Sequence, residues 1–452
     1  MRRARVIALF ASAMLAAGGP HAGFAQGLSV GGFLQTRAEL PAGADFDFSS
    51  GSFGRMDLAL GLHGEAKPGG NIRLYGEALF RESDLPVALT DPARLSSYAT
   101  LHPMDFRLVE AYADLYDFLV PRLDLRLGKQ RMAWGPAERV GVVDFLDPYD
   151  LEDPWSFGAR IPSIAAKLSL SFTSLRIEAV YIPTFTPALL PADAPSLMPA
   201  LAVELPGPLV LGVVTPGVEM PVADILSNAT LASRVSLALG TFDIAASYLY
   251  GRQSLPAVTG ITGSSAAPPN VNIAVTLQYP RQHVAGLDVA GDLFGLGVWG
   301  EAAVFWPDYA VVTDMRGIGG TLAEERAAWY AKGVLGCDYT FPGGLYLNMQ
   351  YSHGFFNEAA LEDLNDYLLL GAEWRLPGGV VKLGPIGAAV EVDDWADIGN
   401  AWALVLNPEL ALYPMDNAEI AAGARWIAGS DSTSFGARKE ENAVYMRIKL
   451  SF

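Results

Sequence analysis

The sequence predicts an all-β, single-domain transmembrane barrel of about 18 antiparallel strands, and three observations carry that reading. Mean hydropathy is positive, +0.25, although the formal net charge is −18. Past the first 25 residues there is no apolar run of about 20 residues, the length of a spanning helix. The nearest candidate, residues 198–214, is broken by Glu204, Pro206 and Pro208. Tight turns and long loops also alternate strictly along the chain. A chain this apolar without a spanning helix must turn one face of its strands to hydrocarbon, where only helices and closed barrels satisfy every backbone polar group.

Residues 1–25 read as a cleaved secretory leader: Arg2, Arg3 and Arg5, an apolar run over 6–17, then Gly23 and Ala25 before a cut at Gln26. Residues 26–452 then form the barrel. The first strand is expected at 28–40 and the second at 53–66, where Met56, Leu58, Leu60 and Leu62 oppose Asp57, His63 and Glu65. A Pro68-Gly69-Gly70 turn leads to 72–81. Strands at 106–116 and 123–133 follow, with a slip of the period near Val109 that reads as a bulge. Further hairpins are expected at 159–172 with 175–185, 230–239 with 242–250, and 283–293 with 296–306. Residues 270–279 read as an extension of the next strand beyond the membrane. The series continues with 329–341 and 345–355, 366–376 and 380–391, and 398–413 and 418–427, and the strand at 442–452 closes it. Pro-Gly-Gly recurs at Pro68, Pro342 and Pro377, always on the side of the tight turns, because Pro fixes φ and Gly admits positive φ in a compact reversal. Short turns with both chain ends on one side, and long loops on the other, are the periplasmic and extracellular arrangement of an outer-membrane barrel.

In the closing strand Val444, Met446, Ile448, Leu450 and Phe452 share one face, and Tyr445, Arg447, Lys449 and Ser451 the other. The same alternation places Arg37, Arg55, Arg73, Arg81, Arg126, Arg176, Lys332, Arg375, Arg425, Arg447 and Lys449 toward the lumen. With them go Glu39, Asp57, Glu65, Glu77, Glu110, Asp114, Asp124, Glu178, Glu301, Asp338, Glu373 and Glu419. Two readings stand side by side: a conduit with basic rungs for anionic or zwitterionic solutes, and a ladder of salt bridges that keeps a filled barrel shut. Counting outward from the Pro68 turn sets Glu65 near Arg73.

The terminal Phe452 resembles the end of Gram-negative outer-membrane barrels that the assembly machinery reads, which implies that machinery as a partner. The string Gly128-Lys129-Gln130-Arg131-Met132-Ala133-Trp134-Gly135, followed by Asp144, Asp147, Pro148 and Asp150, resembles a Gly-Lys/Arg-Gln-x-x-x-Trp-Gly segment. That segment belongs to an uncharacterised family of porin-like Gram-negative outer-membrane barrels. More distantly the string is similar to the alginate-export porins. The resemblance covers about residues 107–191 and implies a monomeric barrel that transports a small molecule or polysaccharide. The mixed sign of the wall here departs from an arginine-dominated lumen and puts a polyuronate in doubt. Trp134 reads as an interfacial anchor at a strand end.

Asp144, Asp147, Asp150, Glu152 and Asp153 crowd one outer loop. Asp147, Asp150 and Asp153 are its weak metal candidates, but calcium-loop spacing and a central Gly are missing, so the loop reads as solvated and acidic. Residues 186–227 are long, Pro-punctuated and mostly apolar, which suggests a lid or plug at the mouth. No catalytic constellation is expected. Ser352 and His353 are adjacent on a strand and face opposite ways. No cofactor is implied, the acidity argues against a nucleic-acid partner, and the one cysteine, Cys337, excludes a disulfide framework. Together these features imply a channel in outer-membrane lipid for a small or oligomeric solute. Two alternatives are an export conduit working with a periplasmic or inner-membrane exporter, and a plugged barrel with a surface role.

Overall fold

The computed structural model describes residues 27–43, 55–84, 104–191, 209–222, 224–267, 269–360 and 364–452. The leader at 1–25 lies outside the described residues. Strands β1 (Leu28–Pro41), β2 (Arg55–Gly69), β3 (Ile72–Asp84), β4 (Met104–Leu115), β5 (Leu123–Gln130), β6 (Ser163–Ser171) and β7 (Leu175–Ile182) begin the wall. After β8 (Val210–Val218) and the one-turn helix α1 (Ile225–Asn228) come β9 (Thr230–Leu239) and β10 (Phe242–Arg252). Next are β11 (Ala257–Ala267), β12 (Asn270–Gln278), β13 (Arg281–Leu293), β14 (Leu296–Asp308), β15 (Ala310–Asp314) and β16 (Leu322–Arg326). The chain ends with β17 (Tyr330–Thr340), β18 (Leu345–His353), β19 (Asp366–Arg375), β20 (Val381–Val392), β21 (Trp402–Asn407), β22 (Glu409–Met415), β23 (Ala418–Gly429) and β24 (Ala443–Ser451).

Nineteen of these strands form one sheet, in which β21 and β22 are halves of a single stave, so the barrel has 18. The break falls at Pro408, which has no N–H to give the ladder, and both halves pair with β20 and β23. The barrel closes where β1 pairs with β24 as well as β2. Phe452 extends that seam: its N–H donates to Gly32 O at 3.0 Å, and Gly32 N–H donates to Phe452 O at 2.9 Å. Alternate residues leave an apolar outer surface, on which Leu287, Leu335, Leu347, Met349, Met446 and Leu450 are exposed. In a membrane that surface meets acyl chains, while the opposite face of each strand looks inward.

The bulge is at Val109: Glu77 pairs with Glu110 and Ala78 with Leu108, which leaves one residue over. The Pro377 turn uses left-handed φ at both Gly378 (+94°) and Gly379 (+73°), which few other residues would adopt without strain. Among the strand ends that differ from expectation, those of β5 and β6 do so for one shared reason. β5 stops at Gln130 instead of 133, and β6 starts at Ser163 instead of 159. The Asp147 carboxylate takes the N–H of Met132 at 2.7 Å and of Ser163 at 3.1 Å, so both chains leave the ladder for an internal loop.

Beyond the rim, β11 and β12 continue β10 and β13, as expected for 270–279. They join a second sheet in the order β16-β15-β11-β12-β8. Its small core is Val271, Ile273, Val275, Leu277 and Met315. The described part of the apolar stretch contributes β8, exposed along its whole length at the edge of this sheet, and α1.

Candidate functional site: the barrel lumen

What occupies the lumen is the segment 131–162, between β5 and β6. Its apolar side chains Met132, Trp134, Val142, Val143 and Leu146 pack on Leu249, Val284, Phe305 and Tyr330 of one wall. Val140 packs on the opposite side with Tyr367, Val405, Ile427 and Phe435. A loop crossing a barrel has no ladder for its backbone, and unpaired buried N–H groups are costly. Wall side chains supply the partners. Glu301 on β14 accepts from the N–H groups of Ala137 (2.8 Å), Val142 (2.7 Å) and Val143 (2.9 Å). Gln350 on β18 accepts from Glu138 N–H at 3.1 Å and donates to Val140 O at 2.9 Å. Glu391 on β20 does the same for a second inward loop, taking Ser434 N–H at 2.9 Å and Phe435 N–H at 2.7 Å.

Two chambers lie on either side of this segment, the larger of mixed lining and the smaller mainly polar. The one toward the long loops has a volume of about 810 Å³ and is bounded by Arg139, Arg160, Lys332 and Glu358 together with Tyr149, Phe305, Tyr330 and Phe355. The one toward the tight turns, about 630 Å³, is bounded by Arg131, Trp134, Lys167, Arg176, Glu178, Arg234 and Asp288.

The charged residues expected in the lumen mostly meet one another. Arg73 bridges Glu65 (2.8 Å) and Asp114 (3.2 Å), and Arg126 also holds Asp114 at 2.5 Å. Arg37 and Arg425 share Glu39, each at 2.8 Å. Arg447 reaches Glu409 at 3.0 Å and Glu419 at 2.9 Å, and Lys382 reaches Glu373 at 3.5 Å. Glu178 lies 3.1 Å from Arg176 and 3.7 Å from Lys167. Glu77 accepts from the Tyr75 hydroxyl at 2.8 Å, and Glu110 from Arg131 N–H at 2.5 Å. Asp124 takes Asp117 N–H at 3.0 Å and so fastens the β4–β5 turn. Arg375 lies 5.0 Å from the Tyr413 ring and Lys449 4.8 Å from the Phe33 ring. Lys332 is buried against Phe355 O. Arg55 pairs through its backbone with Glu39, but its side chain lies outside the described residues.

Two expectations need correction. Trp134 is no interfacial anchor. It is 5% exposed inside the barrel, edge-on to Phe145 with ring centroids 6.0 Å apart, because the chain has already turned inward at Met132. Nor is the acidic loop solvated. Asp147 is 2% exposed and bonded to Arg131 at 2.9 Å. Arg131 also holds Asp144, Arg107 reaches Asp150 (3.4 Å) and Glu152 (2.8 Å), and Arg81 holds Glu152 as well. Asp153 accepts Trp155 N–H at 3.1 Å. The weak metal candidates are thus spent on arginines and a turn, and among the described residues no cluster of three or more His, Cys, Asp or Glu is set to hold a metal. Burial raises the Glu152 carboxyl, but Arg81 and Arg107 outweigh it and hold the group below the usual glutamate range.

The inward pair Arg234–Asp288, bonded twice at 2.7 and 2.8 Å, was missing from the sequence reading although its parity marks it. The reach of Glu301 and Gln350 into the loop has no sequence signal. Ser352 and His353 do face opposite ways: Ser352 is buried, while His353 meets Asp366 on the outside at 2.8 Å.

A closed 18-stranded wall with inward loops and tight turns on one side defines a porin-like outer-membrane β-barrel fold. Among solved structures the chain is similar to a BenF-like porin from Pseudomonas fluorescens Pf-5, at TM-score 0.50 and 10% identity over 95% of this chain and 99% of that one. The outer membrane protein OpdK of Pseudomonas aeruginosa gives TM-score 0.48 and 10% identity over 95% and 99%. OmpF of Salmonella typhi, in complex with daunomycin, gives 0.40 and 12% over 94% and 97%. At such identities the likeness concerns the fold alone. No protein-family model matches the chain, and no curated protein matches it in sequence.

Proposed function

We propose that this chain is an outer-membrane channel that admits a small polar solute past a fixed internal constriction. The observation that carries the reading is the pair of chambers with charged side chains in their walls on either side of segment 131–162, about 810 and 630 Å³. Each is within the size range of small-molecule sites. The lumen wall is mixed in sign and its charges are largely paired, which favours zwitterionic or weakly charged solutes over a polyanion and speaks against a polyuronate. The surrounding partner is outer-membrane lipid, reached after leader cleavage and insertion by the assembly machinery.

A plugged barrel with a surface role is the second reading, favoured by the apolar packing of segment 131–162 on both walls. Planar-bilayer recording of the purified barrel separates the two. The channel reading expects a steady ohmic current that rises when residues 136–146 are replaced by a short Gly-Ser linker. Absence of current in both proteins overturns it. An export role would need a dedicated inner-membrane partner, and co-purification from crosslinked envelopes tests that.

A further inference from the structure

We propose that the outward face of the extracellular rim at β10 and β13 binds the phosphate of a phosphorylated outer-leaflet lipid. This rests on the membrane reading of the barrel and not on its conducting. On β10 the exposed Ile244 and Tyr248 mark the outward parity, and Arg252 shares it; on β13 the exposed Leu287 and Val289 mark it, and Arg281 and His283 share it. Arg252 and Arg281 are direct cross-strand partners, as are Tyr250 and His283. Like charges directly opposite on paired strands repel, yet here two guanidiniums are held together. Arg252 donates to Asn228 Oδ1 at 3.0 Å and Tyr279 O at 2.8 Å, and Arg281 to Ser227 O. These acceptors orient the cations without neutralising them.

Among the described residues neither guanidinium forms an ion pair. Asp308, the register partner of Arg281 on β14, is joined to Arg326 at 3.2 Å instead. Aromatic rings stiffen the patch. Arg281 sits 4.7 Å from the Tyr250 ring, which stacks on His283 at 4.5 Å, and the Tyr248 hydroxyl is 2.6 Å from His283 Nδ1. Exposed Trp306, the cross-strand partner of His283, adds an interfacial ring beside it. Arg252 also borders the outer chamber, so it stands at the lip of the rim.

A phosphate dianion would turn this repulsion into attraction, because the planar arginine fork matches phosphate oxygens. The apolar surface on the same strands, Ile244, Leu287 and Val289, runs directly toward the membrane interior. A phosphate carried on acyl chains therefore fits better than a free one: its chains would lie on those residues while its headgroup met the arginines.

The test uses the full mature barrel, delipidated in neutral detergent and followed by native mass spectrometry. It is titrated with diphosphoryl lipid A, with the same lipid dephosphorylated, and with inorganic phosphate. The expected result is retention of diphosphoryl lipid A with about tenfold preference over the dephosphorylated form, the scale of one lost charge-assisted contact. The R252Q/R281Q double variant should lose that preference, and R252K/R281K should recover part of it. Equal binding of the two lipids by the unaltered protein overturns the proposal, as does an unchanged preference in a folded R252Q/R281Q. Inorganic phosphate that competes as strongly as the lipid would show a free-anion site and overturn the lipid assignment. If the double variant does not fold, the comparison of lipids on the unaltered barrel decides.

Discussion

Removing the carboxylate of Glu301 tests whether the internal segment is a fixed constriction. This one side chain, 5% exposed, accepts three backbone N–H groups of the segment at 2.7–2.9 Å. Glu301→Ala would strand all three. Each buried unsatisfied donor costs about 1–3 kcal/mol, but the three share one acceptor and water can reach some of the vacated space, so the combined cost is about 3–5 kcal/mol. A segment stabilised locally by less than that would leave its seat. Glu301→Gln keeps one oxygen but turns an amide N–H toward a backbone N–H, and should cost about 1–3 kcal/mol. Single-channel recording reads the consequence: larger conductance or frequent stepwise fluctuation for Glu301→Ala, and milder fluctuation for Glu301→Gln. Heat-modifiable electrophoretic mobility confirms that the barrel itself is intact. A folded Glu301→Ala barrel with unaltered conductance and noise would refute the view that this carboxylate holds the constriction.

Three further outcomes follow from the same geometry. The buried Arg234–Asp288 pair should show strong coupling: Arg234→Ala or Asp288→Ala alone should cost about 3–5 kcal/mol in detergent unfolding and the double replacement distinctly less than their sum, because either single change leaves an unpaired charge; additive losses would argue against it. Glu152 has a folded-state pKa below its unfolded value, so its stabilising effect is present above the ordinary glutamate range and is lost as pH falls through the lowered folded value. Channel noise should therefore rise only in acid, and Glu152→Gln should be noisy already at neutral pH; pH-independent noise in the unaltered protein would contradict this. Deleting Phe452, whose backbone closes the seam with Gly32, should lower the amount of assembled barrel in outer membranes several-fold, measured by the heat-modifiable band, and unchanged assembly would remove its proposed signal role.

The wall was legible because a membrane leaves a strand few options. Period-two alternation marks the barrel strands, the Pro-Gly-Gly reversals fall where a compact turn must, and even the slip at Val109 shows as a break in that period. Pro408 was equally visible, but a proline within a long apolar strand does not say whether it ends the stave or only interrupts it; pairing of β20 and β23 with both halves decides that. The lumen was less legible. Asp144, Asp147, Asp150 and Glu152 look like a solvated loop until Arg81, Arg107 and Arg131 are known to face them. Arg81 belongs to β3 and Arg107 to β4, so their match exists only after the barrel has closed, while Arg131 opens the internal segment itself and meets Asp144 and Asp147 only once that segment has folded inward. Trp134 misled for a related reason: Trp-Gly at a strand end has the same composition whether the chain turns outward to the interface or inward.

The way the internal segment is fastened also limits how it can move. Glu301, Gln350 and Asp147 hold different parts of one backbone, and two apolar clusters hold its opposite sides. Releasing Val142 and Val143 from Glu301 would pull on Val140, which Gln350 holds. Swinging the segment toward one wall would strip the apolar cover from the other. Small displacements are therefore resisted from several directions, and an opening that occurs has to break most of these contacts together. Any spontaneous gating should then appear as rare, discrete steps between well-separated conductance levels, and the single replacement Glu301→Ala should raise their frequency more than their size. A smoothly graded current in the unaltered protein would mean that the segment is tethered at fewer points than these hydrogen bonds require.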